Sequence, residues 1–196
     1  MSKAPDMSIA DIRIETERLI LRPPQAGDFE GWATFFADPE ATRHMGGPRS
    51  EPLAWRHFLM MVGAWNIQGA SSFSLIDKRS GQWLGWCGPW HPAGWPGREV
   101  GWSLAREAWG RGYATEAARA LLALARTLGH KRLFASHFVD NPASGRVLQK
   151  LGFCPTGVVR SRFSPGRGGE SPARQLSLTL GEPSDCDDDI AAMRAA

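Results

Sequence analysis

The densest set of groups able to do chemistry lies in residues 99–115, EVGWSLAREAWGRGYAT. Gly110 and Gly112 stand just before the Ala- and Leu-rich run 113–128, so a turn leads directly into a helix N-terminus. Backbone N–H groups at a helix start lack intrahelical partners and lie at the positive end of the helix dipole, and glycines beside them let an anion approach the main chain. Arg111 adds a positive charge. The spacing predicts a phosphate-bearing ligand here, although a tight turn that needs positive φ accounts for the same two glycines.

Glu99 opens the strand that leads to this turn, and alternation puts Glu99, Gly101 and Ser103 on one side of it. A carboxylate so placed can act as general base, directly or through a water; the alternative is a solvated strand-end carboxylate. Glu116, in the first turn of the following helix, is explained by the helix dipole and ranks second as a base. Asn141 precedes Pro142 at another helix start, which is ordinary capping chemistry, and Ser144 lies three residues on along the same side.

The elements that must position these groups follow from periodicity. Residues 15–22, ETERLILR, read as a first strand stopped by Pro23-Pro24. Asp28 is expected to cap a helix carrying Trp32, Phe35 and Phe36 on one face; 38–51 is expected to be an exposed loop, and a second helix runs from Pro52 to Gly69. Strands at 72–77, 82–88 and 98–105 form an antiparallel meander. A helix at 113–128, a strand at 131–139, a helix at 142–151 and strands at 153–160 and 173–180 complete the chain, with 161–172 as a long mobile loop. Trp83, Trp86, Trp90, Trp95 and Trp102 cluster on the meander, where core or interface packing is favoured over an aromatic substrate wall.

A chain of 196 residues with 42% hydrophobic content fits one domain, placed at residues 11–181. The expected acidic, flexible tail at 182–196 carries Glu182, Asp185, Asp187, Asp188 and Asp189 against Arg194; its charge of −4 within a total of +3 leaves +7 on the rest. That excess attracts polyanions, and the lack of a Lys/Arg-rich run favours a phosphorylated small molecule over nucleic acid. No apolar run is long enough to span a bilayer, so a cytoplasmic protein is expected. Cys87, Cys154 and Cys186 are odd in number and widely spaced, and are expected to be reduced; no histidine has a neighbour at metal-ligand spacing, so no metal is expected.

Four pieces in order carry a resemblance: ETERLILR, then EVGWSLAREAWGRGYATEA, then Asn-Pro-Ala-Ser at 141–144, then Lys-Leu-Gly-Phe at 150–153. Together they resemble the GCN5-related N-acetyltransferase (GNAT) family, and within it the branch that acetylates the N-terminal alanine of ribosomal proteins. The resemblance implies an α+β fold, a mixed, mostly antiparallel sheet flanked by helices with two strands splayed at an acetyl-CoA site. It implies that Trp109, Gly110, Arg111, Gly112, Ala114 and Thr115 cradle the pyrophosphate, that Trp102, Ser103 and Leu104 pair with the pantetheine arm, and that Asn141 and Ser144 complete the cofactor contacts. Trp109 stands where the wider family has Gln or Arg.

By the same resemblance the reaction is direct attack of an amine on acetyl-CoA, with Glu99 as base and Ser144 as proton donor to sulfur. Many relatives place a tyrosine where this chain has Leu148, and its one tyrosine is Tyr113. The expected acceptor is a protein or peptide α-amine. A small amine such as a polyamine or aminoglycoside is the alternative, with the loops at 38–51, 89–97 and 161–172 deciding; a non-catalytic acyl-CoA-binding module is the reading from another class. A homodimer through an exposed aromatic face is a further possibility.

Overall fold

The computed structural model describes residues 9–91, 99–164 and 167–180. The tail at 182–196, Trp95 and most of the 89–97 loop lie outside that range. Eight strands form one sheet in the order β1-β2-β3-β4-β5-β6-β8-β7. Its strands are β1 (Ile14–Glu15), β2 (Leu19–Arg22), β3 (Phe73–Asp77), β4 (Trp83–Trp90), β5 (Glu99–Leu104), β6 (Arg132–Phe138), β7 (Cys154–Ser164) and β8 (Gly169–Thr179). All neighbours are antiparallel except β5 and β6, which α4 (Tyr113–Thr127) connects.

The two faces are covered by different helices. On one, α4 and α5 (Pro142–Lys150) bury Leu121, Leu122 and Leu148 against Val100, Leu133, Ala135 and Leu176. On the other, α1 (Phe29–Ala37) and α3 (Glu51–Gln68) bury Trp32, Phe35, Phe36, Phe58 and Met61 against Trp83 and Trp86 of β4. The three- and four-residue spacing of the α1 aromatics thus serves packing. The outer face of α3 leaves Leu53, Trp55, Leu59 and Met60 exposed. Among the described residues no helix is long and apolar enough to cross a membrane.

Four local expectations change. Asp28 makes no cap bond to α1. Its buried carboxylate instead accepts from Arg22 Nη1 and Nη2 at 2.7 Å each, Ser74 Oγ at 2.7 Å and the Gln25 backbone N–H at 2.9 Å. That set satisfies a buried charge and ties β2, β3 and the entry to α1 together. The 38–51 loop contains a short helix, α2 (Pro39–Thr42), because Asp38 Oδ1 accepts from the N–H groups of Glu40 and Ala41 and proline occupies the first turn. The 161–172 segment is mostly ladder: Arg162 pairs with Ser171 and Ser164 with Gly169, so β7 and β8 satisfy each other's backbone almost to the turn. Cys87 is a free buried thiol whose pKa burial pushes up, whereas Cys154 is disulfide-bonded, against the expectation of reduced cysteines.

His57 of α3 gives the fold an acid-sensitive point. Its ring lies 4.8 Å from Phe36, 5.7 Å from Trp86 and 5.8 Å from Trp32, centroid to centroid, and Trp32 Nε1 donates to its Nδ1 at 3.3 Å. Burial, helped by the Arg49 charge, pushes its pKa down to about 4. The native state therefore binds fewer protons than the unfolded chain. This contribution is fully present above the ordinary histidine value near 6.5 and is lost as pH falls from there towards 4. The loss is on the order of 3 kcal/mol. Thermal denaturation from pH 7 to pH 4 should show a falling midpoint, and His57→Phe should flatten that fall; an unchanged slope in the variant would remove His57 as its cause.

Candidate active site

The site begins where β5 and β6 part. Among the described residues they share a single residue pair, Glu99 with Phe134, and beyond it the strands diverge. The gap is a cleft of about 500 Å³. Val100 to Leu104 form one wall, Ser136 to Phe138 with Asn141, Ala143 and Ser144 the other, and residues from Ala108 to Thr115 close one end. Residues 41 and 43–45, together with Arg162 and Ala173, border the opposite region. A parallel pair with one rung leaves the β5 edge facing the cleft, where an extended ligand with amide groups can add to it.

At the end near α4 the chain is shaped for an anion. Gly110 has φ +70° and Gly112, the residue capping α4, has φ +83°. These left-handed positions turn the chain so that α4 starts at the cleft, which Gly112, Tyr113, Ala114 and Thr115 line. Trp109 Nε1 donates to the Leu104 carbonyl at 2.8 Å and fixes the turn to the end of β5.

Tyr113 is a strut. Its ring is buried between the guanidinium groups of Arg18 and Arg111, 4.4 and 5.0 Å from the centroid, and its hydroxyl donates to Asp77 Oδ2 at 2.9 Å. The Ser80 backbone N–H, followed by that hydroxyl, holds Asp77 at a pKa of about 2. Glu116 also serves structure: its carboxylate accepts from Thr16 Oγ1 at 2.6 Å and from the backbone N–H and Nε of Arg18 at 2.9 and 2.7 Å. Burial alone would raise its pKa, but these bonds and the Arg18 charge outweigh it and the pKa is lowered. The turn before β2 is thereby clamped to the start of α4.

Of the cofactor-contact positions expected from the sequence, all line the cleft except Arg111, whose guanidinium is over Tyr113. Asn141 Oδ1 accepts from the Ser144 backbone N–H at 3.1 Å, so it caps α5. Its amide NH₂ can still donate to a ligand, so capping and binding are compatible. The Ser103 hydroxyl lies 3.1 Å from Met45 Sδ and links β5 to the loop after α2. Leu148, at the position of the missing tyrosine, is fully buried.

Glu99 is buried at the vertex of the gap. Its Oε1 takes an ion pair from Arg162 of β7 and a hydrogen bond from Ser136 Oγ of β6 at 3.2 Å. Ser136 and Arg162 line the cleft, and Glu99 lies behind them. Sequence reasoning did not single out either partner as a site residue, because each meets Glu99 only through strand pairing. Arg146 and Lys150 were also passed over; both line the cleft, and Lys150 borders an adjoining groove with Arg18 and Arg119. Their i,i+4 spacing on α5 was the available signal.

Three ion pairs surround the cleft. Arg43 pairs with Glu40 at 2.6 Å, Arg162 with Glu99, and Arg167 with Asp140 at 3.0 Å. Arg167 also reaches His44 Nδ1 at 3.0 Å and lies over the Phe138 ring, joining the β7–β8 hairpin to both sides of the cleft. Burial, followed by the Arg43 charge, lowers the pKa of His44. Among the described residues, no group of three or more histidine, cysteine or acidic side chains is placed to hold a metal.

A mixed sheet splayed beside a glycine-bounded helix start defines a class of acyl-CoA-dependent acyltransferases, and comparison with known proteins agrees. A family profile described as "Acetyltransferase (GNAT) domain" matches residues 18–154. A Bacillus licheniformis protein named "Uncharacterized N-acetyltransferase p20" is 32% identical over 149 residues, 74% of this chain and 84% of that one. The crystal structure of an acetyltransferase from Agrobacterium tumefaciens superposes with a TM-score of 0.73 at 28% identity, covering 91% of this chain and 99% of that one. The ribosomal-protein-S5-alanine acetyltransferase of Vibrio fischeri shares the fold, with a TM-score of 0.70 at 19% identity over 89% of this chain and the whole of that one. The chain belongs to the GNAT family of N-acetyltransferases and is an acyltransferase that uses acetyl-CoA and an amine acceptor.

Proposed function

We propose that this enzyme acetylates the α-amine of a peptide or protein N-terminus. The pairing of the carboxylates around the cleft carries this reading. A polycationic aminoglycoside or polyamine needs a carboxylate-rich wall, whereas Glu40, Glu99 and Asp140 each already face an arginine. A chain end brings one ammonium and an otherwise neutral backbone, and so asks for no such wall. The fold shared with the Vibrio fischeri ribosomal-protein acetyltransferase supports the same reading.

In this reading the N–H groups at the start of α4, with Gly110 and Gly112, hold the pyrophosphate of acetyl-CoA, and the edge of β5 from Trp102 to Leu104 aligns its pantetheine arm. The Asn141 amide donates to that arm, and Arg146 and Lys150 add positive charge. Glu99 takes up the proton that the attacking ammonium must lose, and Ser144 can protonate the departing thiolate. The domain responsible is residues 11–181.

The test is CoA release from acetyl-CoA, with product mass confirmed, against peptides with free N-terminal Ala, Ser or Thr and against spermidine and an aminoglycoside. The reading predicts kcat/KM at least tenfold higher for one of the peptides. Turnover confined to the small amines would replace it with metabolite or drug acetylation.

A further inference from the structure

Glu99 cannot be considered alone, because the groups exposed to the cleft at this point are Ser136 and Arg162. We propose that Ser136 is the catalytic residue that touches the acceptor amine and relays its proton to Glu99. This rests on the acetyl-transfer reading above but not on the acceptor being a peptide.

Three observations point the same way. Ser136 Oγ already donates to Glu99 Oε1, so the hydroxyl proton is directed at the carboxylate and the oxygen lone pairs remain to receive another proton. Arg162 ion-pairs with that same oxygen and fixes the carboxylate against Ser136. The same face of the sheet is polar here: Gln175 lies directly opposite Ser136 across the β6–β8 ladder, and Ser177 is two residues further along that face. Gln175 Oε1 and Ser177 Oγ are buried without a hydrogen-bond partner. Such groups are costly in an apolar setting and fit a floor where polar molecules and protons are handled.

The step balances without a further reagent. As the ammonium gives an N–H proton to Ser136 Oγ, the Ser136 hydroxyl proton passes to Glu99 Oε1, leaving a neutral amine, an intact serine and a protonated carboxyl. The amine nitrogen then bonds to the acetyl carbon, and as the C–S bond breaks the nitrogen loses its second proton while the sulfur takes up one, giving the amide and the CoA thiol. Glu99 returns its proton to solvent, so one proton is released for each acetyl group transferred.

The test compares Ser136→Ala and Ser136→Thr with the unmodified full chain, using whichever amine the enzyme turns over. Ser136→Ala should lower kcat by about 100-fold, the lower end of the range for one proton-transfer group, with acetyl-CoA affinity by calorimetry changed less than twofold. Ser136→Thr, which keeps the hydroxyl, should recover most of the rate. Full activity in Ser136→Ala beside a slow Glu99→Gln would mean that Glu99 meets the amine without a relay. A loss that threonine does not rescue, or one accompanied by lost acetyl-CoA binding, would make Ser136 structural. Either result overturns the relay; turnover of small amines alone would overturn only the peptide reading.

Discussion

Replacing Gly112 by valine will weaken acetyl-CoA binding by about 100-fold, equivalent to about 3 kcal/mol. Gly112 holds φ +83°, where a side chain is strained and a β-branched one most of all. An added Cβ would lie 3.5 Å from Arg18 Nη2, so the neighbouring space is not closed by backbone. The penalty comes instead from rotating the turn out of its left-handed conformation. That rotation redirects the first N–H groups of α4, which form the proposed pyrophosphate cradle. Calorimetric titration with acetyl-CoA measures the loss, and circular dichroism checks that the helix persists. Wild-type affinity in a folded Gly112→Val protein would remove this turn from the site.

The second large effect is expected at Glu99. Glu99→Gln keeps shape and removes charge, and kcat should fall by about 100-fold, within the range for loss of a general base. Acetyl-CoA affinity should stay the same, since Glu99 lies behind the cleft lining. Stability should fall as well, because the ion pair between Arg162 and Glu99 would be lost. A fully buried broken pair costs roughly 3–5 kcal/mol; with the Arg162 side chain 25% exposed, about 1–3 kcal/mol is the expected loss. Steady-state kinetics and thermal denaturation of the same sample separate the two effects. Undiminished kcat would end the assignment of Glu99 as proton acceptor.

These two positions also show what the sequence makes legible. The turn around Gly112 is a local feature: strand, glycines and Ala-rich helix follow one another, and the structure places them as their order implies. The aromatic spacing of α1, the glycine after α3 and the proline at the start of α5 are local in the same sense. Asp28 is different. Its position before a helix suggests a cap, but Arg22 and Ser74 reach it from two strands and take the carboxylate. Hydrogen-bond competition across the fold decided its role.

The β7–β8 hairpin was hidden for another reason. Glycines, prolines and serines at 161–172 signal a loop, yet Ser161, Ser171 and Pro172 stand in the ladder, and the polar residues there pair readily once β8 is anchored on β6. The 161–172 segment was expected to border the acceptor as a loop; as a hairpin it brings Arg162 to the cleft lining and Arg167 against His44 and Phe138. The Glu99–Ser136–Arg162 cluster joins three strands. Glu99 could be picked out by its alternation with Gly101 and Ser103, whereas its partners emerge only when β6 and β7 are in register.

The most direct test of the account uses one peptide with a free N-terminal alanine and an internal lysine, incubated with the enzyme and acetyl-CoA, with the acetyl group located by tandem mass spectrometry. Acetylation on the alanine nitrogen, with the lysine unmodified, is the predicted result. Acetylation of lysine, or an unmodified peptide beside rapid acetylation of spermidine, would contradict the assignment of this cleft to protein N-termini.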